Sequence, residues 1–234
     1  MIQENILKSE LSPEKIIVIG VGGGGGNAIN YMCQKGIENT DFLVCNTDIE
    51  GLEKSVAPIK IQLGDLISGA EGNPEKGHEA ALNSAKKIRA VITADTKIVI
   101  IIAGLGGGTG SGAAPVIANI AKEMGKLTIA IVTMPFQFEG TQRIKQAKEG
   151  MEELDKNADL LLVIENEKMR ELFGKLTFNE FFSKINLELT TAVEIIANTC
   201  QREKFLSIFD SIGMKVRIIQ SLLSEWNYSH LHID

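Results

Sequence analysis

The sequence Gly106-Gly107-Gly108-Thr109-Gly110-Ser111-Gly112 follows the apolar run Ile98-Val99-Ile100-Ile101-Ile102-Ala103. The apolar run predicts a buried parallel strand, and residues 113–118, which follow the glycines, predict a helix packed on a sheet. The glycine loop is therefore expected where a strand ends and a helix begins. Free backbone N–H groups and the helix dipole favour anions at such a place, and glycine lets the backbone approach closely. We interpret the loop as a phosphate-binding loop.

The composition indicates a soluble, globular chain of 234 residues with 44% apolar residues and a formal net charge of −6. Residues 1–15 lack the apolar core of a signal sequence, and no apolar run approaches the roughly 20 residues of a membrane span. We therefore expect a cytoplasmic protein without membrane insertion. The net negative charge argues against nucleic-acid binding. Because Cys33, Cys45 and Cys200 have no metal-binding spacing, we expect free thiols and no metal site.

Apolar runs alternate with helix-like segments along the chain, which predicts a Rossmann-like parallel α/β sheet with helices on both faces. The predicted strands are 16–20, 42–46, 59–63, 98–103, 128–134 and 160–164. The predicted helices are 27–35, 74–92, 113–124, 141–156 and 178–199.

The last predicted helix keeps apolar residues at three- and four-residue spacing over about six turns, too long for an ordinary crossover. We interpret it as a central helix over 178–200 that follows a domain over 1–177. Residues 201–234 form a separate C-terminal segment, in which the apolar residues from Phe205 to Trp226 keep a helical spacing.

A second glycine-rich segment, Gly20-Val21-Gly22-Gly23-Gly24-Gly25-Gly26-Asn27, follows the first predicted strand and contains the pattern G-x-G-x-x-G. Together with Asp48, which closes the next strand, it matches a dinucleotide site in form and leaves an NAD- or FAD-dependent oxidoreductase as an alternative. Two phosphate loops on separate strands favour a nucleoside triphosphate instead. The chain has no G-x-x-x-x-G-K-[ST] motif, so the common P-loop is excluded.

The motifs taken together resemble those of FtsZ, the bacterial tubulin-like cell-division family. Residues 106–112 match the tubulin-type signature loop. Four further motifs of the family also match, in the family's order along the chain: 19–28, Asn46-Thr47-Asp48, Asn73-Pro74-Glu75 and 133–140. The resemblance covers most of the first 200 residues. It implies a GTP-binding domain that takes GTP or GDP, with Mg²⁺ accompanying the nucleotide, and FtsZ-type subunits as partners.

The resemblance also implies roles for individual residues. The phosphates would lie against Gly22, Gly23, Gly24, Gly25, Gly26 and Asn27 and against Gly107, Gly108, Thr109, Gly110 and Ser111. Glu139 would hold the ribose, and Arg143 would lie beside the nucleotide. Phe182 would stack on the guanine base, Asn186 would bind its edge, and Asn166 would complete the guanine site. The structural alternatives are a core position for Phe182, a helix cap for Asn166, and an exposed ion pair for Glu139 and Arg143.

The sequence departs from the family pattern in three places. The family's N-x-D-x-x-D loop, which enters the nucleotide pocket of the next subunit, is not recognisable; the nearest segment, 206–212, has Ser207 for the asparagine and Asp210 as a weak catalytic candidate. The family's second α/β domain has no counterpart within these 234 residues. Residues 69–72 are Gly-Ala-Glu-Gly where the family has Gly-Ala-Gly facing the terminal phosphate, so an inward Glu71 would oppose that phosphate.

We therefore predict a guanine-nucleotide-binding FtsZ-like cell-division protein, in which GTP hydrolysis needs acids from a neighbouring subunit and self-activation is not expected. The alternative is a conventional FtsZ GTPase that is truncated or frame-shifted after about residue 200, because the resemblance weakens around Thr199–Phe205.

Overall fold

A computed structural model of the chain describes residues 15–65, 69–199 and 216–218. The strands in these ranges are β1 Lys15–Val21, β2 Thr40–Asn46, β3 Ile59–Gln62, β4 Thr96–Gly104, β5 Leu127–Met134, β6 Leu160–Glu165 and β7 Val216–Ile218. They form one parallel sheet in the order β3-β2-β1-β4-β5-β6-β7. The first six coincide with the six predicted strands, and the predicted Rossmann-like fold class is confirmed.

The helices of the described residues are α1 Gly22–Lys35, α2 Ile49–Glu53, α3 Pro74–Asn83, α4 Ala85–Val91, α5 Gly108–Glu123, α6 Thr141–Asn157, α7 Asn166–Phe173 and α8 Phe178–Thr199. One turn of 3-10 helix lies at Gln137–Glu139. The helix predicted over 74–92 is divided at Ser84, whose hydroxyl accepts the backbone N–H of Gly64 at 2.9 Å. The sequence does not predict α2 and α7, because five and eight residues are too few to show helical periodicity. Within the described ranges, no helix combines the length and the apolar character needed to cross a bilayer.

Most of each glycine-rich segment lies in the first turns of a helix and not in a loop before it. The sequence predicts helix starts at 27 and 113, whereas α1 begins at Gly22 and α5 at Gly108. Glycine has a low helix propensity, so a glycine run predicts a loop. Tertiary packing explains the difference, since a Cβ on Gly25 would overlap the carbonyl oxygen of Ile102, and one on Gly110 that of Gly104. Glycine therefore allows both helices to begin against β4.

The sheet is buried between two layers of helices. Helices α1 and α8 cover one face, whose core includes Val18, Ile100 and Ile131. Helices α3, α4, α5 and α6 cover the other face, whose core includes Ile101 and Val132. Successive side chains of a strand point to opposite faces, and both faces are covered here. This double burial is why the strands appear in the sequence as continuous apolar runs.

The strand β7 corrects one prediction for the C-terminal segment. Val216–Ile218 pairs with β6 in parallel, whereas the sequence predicts helical spacing across these residues. Val and Ile favour extended backbone, and the alternation Val-Arg-Ile also fits a strand, so the apolar spacing is ambiguous here. The rest of 201–234, including the candidate Asp210, lies outside the described residues.

Candidate nucleotide site

The two glycine-rich helix starts meet where the order of the strands reverses. Strands β1 and β4 are neighbours, and the chain continues from them toward opposite edges of the sheet. Open α/β sheets bind ligands at this position, beyond the carboxyl ends of the strands. A Cβ added to Gly24 would lie 3.3 Å from the Cα of Gly104, and one added to Gly22 would lie 3.2 Å from the nitrogen of Gly110. The two predicted phosphate segments therefore form one continuous surface.

The starts of α1 and α5 both lack a side-chain cap for their backbone donors. Neither Val21 nor Gly107, the N-cap residues, makes a side-chain capping bond, and neither first turn contains an acidic residue. In contrast, Asp48 and Asn73 cap the starts of α2 and α3. Uncapped N–H groups and the positive end of the helix dipole favour an anion. The two helix starts therefore suit a group with several negative charges.

A cavity of about 100 Å³ lies beside these helix starts. The lining residues that bear on the predictions are Gly24, Asn27, Thr133, Asn166, Phe182 and Asn186. The structure therefore brings the three residues of the predicted guanine site together with two residues of α1. Thr133 is not among the predicted site residues; its signal in the sequence is its place near the carboxyl end of β5, next to β4.

Asn166 has a buried polar atom without a partner. The residue is 6% exposed, and its Oδ1 accepts no hydrogen bond. Leaving such an atom unpaired costs about 1–3 kcal/mol, which a hydrogen-bond donor on a ligand would offset. Asn166 is the first residue of α7, after the N-cap Glu165. The position does not match the alternative interpretation of Asn166 as the helix cap.

Phe182 has a partly open ring. It is 47% exposed, its edge contacts with Phe136 and Phe181 have centroid distances of 6.5 and 5.6 Å, and its ring is stacked with that of Phe178 at 6.4 Å. Half of the ring surface is still accessible and the ring lines the cavity, where a planar base could stack on it, and Asn186 lies four residues further along α8 in the same cavity. The exposure of the ring does not fit the alternative of a core position.

Glu139 and Arg143 form an ion pair at the start of α6, with Oε2 and Nη1 2.8 Å apart. The other carboxylate oxygen of Glu139 accepts the N–H of Phe136 at 2.9 Å. Since Phe136 also contacts Phe182, the pair lies near the base cavity. A Cβ on Gly106 would lie 3.0 Å from the carbonyl oxygen of Arg143, so the pair also adjoins the second glycine segment. The predicted contacts of Glu139 with the ribose and of Arg143 with the nucleotide stay predictions.

The two hydroxyl residues of the second glycine segment have different surroundings. Ser111 is 3% exposed, and its Oγ accepts the N–H of Gly106 at 2.8 Å, which closes the segment on itself. The Oγ1 of Thr109 instead lies 2.7 Å from the Oγ1 of Thr47. Ser111 therefore shapes the segment, while Thr109 links it to the end of β2. Thr47 is not among the predicted site residues.

Asp48 is engaged in the fold. Its Oδ1 accepts the N–H of Glu50 at 3.1 Å and caps α2. In a dinucleotide site the corresponding acid binds the ribose hydroxyls. Because the capping role accounts for Asp48, the oxidoreductase alternative retains only the glycine pattern as support.

A doubly wound parallel sheet with two glycine-rich helix starts at its strand reversal defines a nucleotide-binding α/β domain. A family model described as "Tubulin/FtsZ family, GTPase domain" matches residues 15–174. The chain belongs to this family, as its motifs predict.

Known proteins similar to this chain carry the same family name. The chain is 46% identical over 192 residues to the cell division protein FtsZ of Aquifex aeolicus (strain VF5), covering 80% of this chain and 52% of that protein. It is 40% identical over 225 residues to the cell division protein FtsZ of Wigglesworthia glossinidia brevipalpis, covering 94% and 57%, so this match extends past residue 200. The solved structure "FtsZ dimer, empty" from M. jannaschii has a TM-score of 0.78 at 39% identity and covers 86% of this chain and 59% of that one. The chain spans about half the length of the curated relatives it matches.

Proposed function

We propose that this chain binds GTP or GDP, with the phosphates on the starts of α1 and α5 and the base in the cavity at Phe182. The observation that carries the proposal is the unpartnered Oδ1 of Asn166, which lines the same cavity as the amide of Asn186. A guanine edge presents adjacent N–H donors and a carbonyl acceptor, and two amides can match both. The membership of the GTPase-domain family supports the same ligand.

Mg²⁺ is part of the proposal as a companion of the nucleotide. It is held mainly by phosphate oxygens and waters with few protein ligands, so it arrives with the phosphates and does not need a prebuilt cage. When bound, it would neutralise part of the phosphate charge.

The second part of the proposal is that GTP hydrolysis requires acids from another FtsZ-type subunit. The acids that the sequence places near the nucleotide, Glu139 and Glu71, are held in ion pairs with Arg143 and Lys76. The hydrogen bond from Lys76 lowers the pKa of the Glu71 carboxyl group, so Glu71 has a reduced tendency to take a proton from an attacking water. The M. jannaschii relative is described as a dimer, which is consistent with association in this family.

The ligand is tested by releasing bound nucleotide from freshly purified chain and identifying it by chromatography, followed by titrations with GTP, GDP, ATP and NAD⁺. We expect GTP and GDP to bind and the other two to bind much more weakly. Phe182→Ala should weaken guanine-nucleotide binding about tenfold through lost stacking. Phe138→Ala is the matched control, since Phe138 is 61% exposed and stacks on Phe136. Preferential binding of ATP or NAD⁺ would refute the proposal.

Hydrolysis is tested by measuring phosphate release per chain as the concentration of the chain is raised, alone and with a complete FtsZ. The complete FtsZ carries a disabled nucleotide pocket, so only the pocket of this chain can turn over. We expect a low rate per chain that does not depend on its concentration, and an increase on addition of the complete subunit. A rate that rises steeply with the concentration of this chain alone, or no stimulation by the complete subunit, contradicts the requirement for a second subunit.

A further inference from the structure

Thr47 joins two parts of the nucleotide site that are far apart in the sequence. Its side chain is fully buried directly after β2. Its Oγ1 lies 2.7 Å from the Oγ1 of Thr109 and accepts the backbone N–H of Ala70 at 3.0 Å. Thr109 belongs to the second glycine segment, and Ala70 belongs to the segment 69–72. One hydroxyl therefore holds both segments.

The protons of these groups can be assigned by counting donors. A hydroxyl has one proton and two lone pairs, and the Ala70 N–H already occupies one lone pair of Thr47. A single proton lies between the Thr47 and Thr109 oxygens. If Thr109 supplied that proton, it could present only lone pairs to a neighbouring phosphate oxygen. If Thr47 supplies it, Thr109 keeps its own proton for the anion, and the charged acceptor makes this arrangement the stronger one.

The position of Thr109 is consistent with this direction. A Cβ on Gly22 would lie 3.2 Å from the Cβ of Thr109, so the Thr109 side chain lies between the start of α1 and Thr47. Ala70 is 3% exposed, and a Cβ on Gly108 would lie 2.8 Å from the Ala70 Cβ. The segment 69–72 therefore packs directly on the second glycine segment at the position that Thr47 fixes.

We propose that Thr47 is a positioning residue for the phosphates. Its hydroxyl donates a hydrogen bond to Thr109, so that the hydroxyl of Thr109 donates a hydrogen bond to a phosphate oxygen. Thr47 also holds the segment at Ala70 against the same site. The proposal rests on the proposed guanine-nucleotide site and adds a residue to it. Because the family resemblance places the segment 69–72 at the terminal phosphate, Thr47 influences GTP more than GDP.

The test compares Thr47→Val, which keeps the shape and removes the hydroxyl, with Thr47→Ser, which keeps the hydroxyl. Affinities for GTP and GDP are measured by displacement of a fluorescent GDP analogue from the 234-residue chain. Thr47→Val should weaken GTP about tenfold and GDP about threefold, while Thr47→Ser should stay within about twofold of the original chain. Thr128→Val is the matched control, since Thr128 is also fully buried and donates its hydroxyl to a backbone carbonyl, that of Lys126.

A double-mutant cycle separates positioning from a general effect on stability. Thr109→Val should weaken GTP about as much as Thr47→Val, and the double variant should be little weaker than either single variant. The proposal would be overturned if the losses of GTP affinity in the two single variants add up in the double variant. It would also be overturned if Thr47→Val lost affinity for GTP and GDP equally. If Thr47→Val does not fold, Thr109→Val still tests the two successive hydrogen bonds, because Thr109 is only partly buried. Normal GTP affinity of Thr109→Val would contradict the proposal. Failure of the unsubstituted chain to bind guanine nucleotides is a different result, which overturns the proposed function itself.

Discussion

Glu71 and Lys76 form an ion pair in which Oε2 and Nζ are 2.6 Å apart, within the region that the family resemblance places at the terminal phosphate. Both side chains are exposed to solvent, 58% for Glu71 and 45% for Lys76. The hydrogen bond from Lys76, and then its positive charge, lowers the pKa of the Glu71 carboxyl group. Glu71 is therefore an ionised carboxylate whose charge is balanced locally. Glu71, which departs from the family pattern, is thus compatible with a triphosphate nearby.

Removal of the cation should expose this charge to the nucleotide. We predict that Lys76→Met lowers the affinity for GTP severalfold more than that for GDP, because like charges at about 4 Å repel by roughly 1 kcal/mol in water and more at lower dielectric. The measurement is nucleotide displacement at low and high salt, and the effect should shrink in high salt.

Two variants control for this interpretation. Adding Glu71→Gln to Lys76→Met should restore the original preference, because the uncompensated carboxylate is gone. Lys54→Met removes a cation from another exposed ion pair, that with Glu50, and should leave the preference unchanged. Equal affinities for Lys76→Met and the original chain would show that Glu71 does not influence the phosphates.

The unpaired oxygen of Asn166 predicts opposite effects on stability and on binding. Asn166→Leu removes a buried polar atom that has no partner, so the ligand-free chain should be as stable as the original or up to about 2 kcal/mol more stable. The same change should abolish the rise in melting temperature that GDP causes. Thermal unfolding with and without GDP measures both effects.

Asn30→Leu is the control for this substitution. The Oδ1 of Asn30 accepts the hydroxyl of Ser55 at 2.7 Å and the N–H of Val56 at 2.9 Å. Its replacement should destabilise the ligand-free chain by about 1–3 kcal/mol. A comparable loss of stability in Asn166→Leu would mean that Asn166 serves the fold and not a ligand.

Two glycines of the second segment should respond differently to alanine. A Cβ on Gly107 would meet no protein atom within 4 Å, and its φ of −95° is open to any residue. Gly107→Ala should therefore keep the stability of the original chain and reduce nucleotide affinity, because the methyl group enters the space left for phosphate. Gly110→Ala should destabilise the fold by about 1–3 kcal/mol or more, since its Cβ overlaps the carbonyl oxygen of Gly104. Urea unfolding and nucleotide titration measure the two properties, and unchanged affinity in Gly107→Ala would place the phosphates elsewhere.

The strands could be predicted because burial on both faces leaves a direct mark in the sequence. The run 98–103 contains only apolar residues, and every one of them is buried. The residues of the base cavity could be proposed only through the family resemblance, since Asn166 and Phe182 are separated in sequence and belong to different helices.

Tertiary contacts explain what the sequence did not predict. The helix starts at Gly22 and Gly108 depend on close packing against β4, which overrides the low helix propensity of glycine. The contact between Thr47 and Thr109 joins residues 62 positions apart. Neither residue differs locally from an ordinary threonine at the end of a strand or the start of a helix, so no local pattern predicts the pair.

Glu188 predicts a dependence of stability on pH that is independent of the nucleotide. It is 5% exposed on α8, and its Oε2 has no hydrogen-bond partner. Burial raises the pKa of the carboxyl group above its ordinary value of 4.5, while the charge of Lys184 acts in the opposite direction. The folded chain therefore holds this proton more tightly than the unfolded chain does. Between the pKa of Glu188 in the unfolded chain and its higher pKa in the folded chain, the free energy of unfolding falls as the pH rises. Above the higher pKa, the folded chain bears the full free-energy cost of the buried carboxylate.

Glu188→Gln removes this cost, because a neutral amide needs no ionisation in the buried site. We predict that the variant is more stable than the original chain by about 1–2 kcal/mol at neutral pH. The difference should shrink as the pH falls through 4.5, the ordinary pKa of the group, because the carboxyl group then becomes protonated in the unfolded chain as well. Thermal unfolding from pH 4 to pH 8 measures this difference. Glu194→Gln, at a partly exposed position of the same helix, makes the same change in net charge and serves as the control. Equal stabilities of Glu188→Gln and the original chain at neutral pH would mean that the Glu188 carboxylate is compensated in the folded protein.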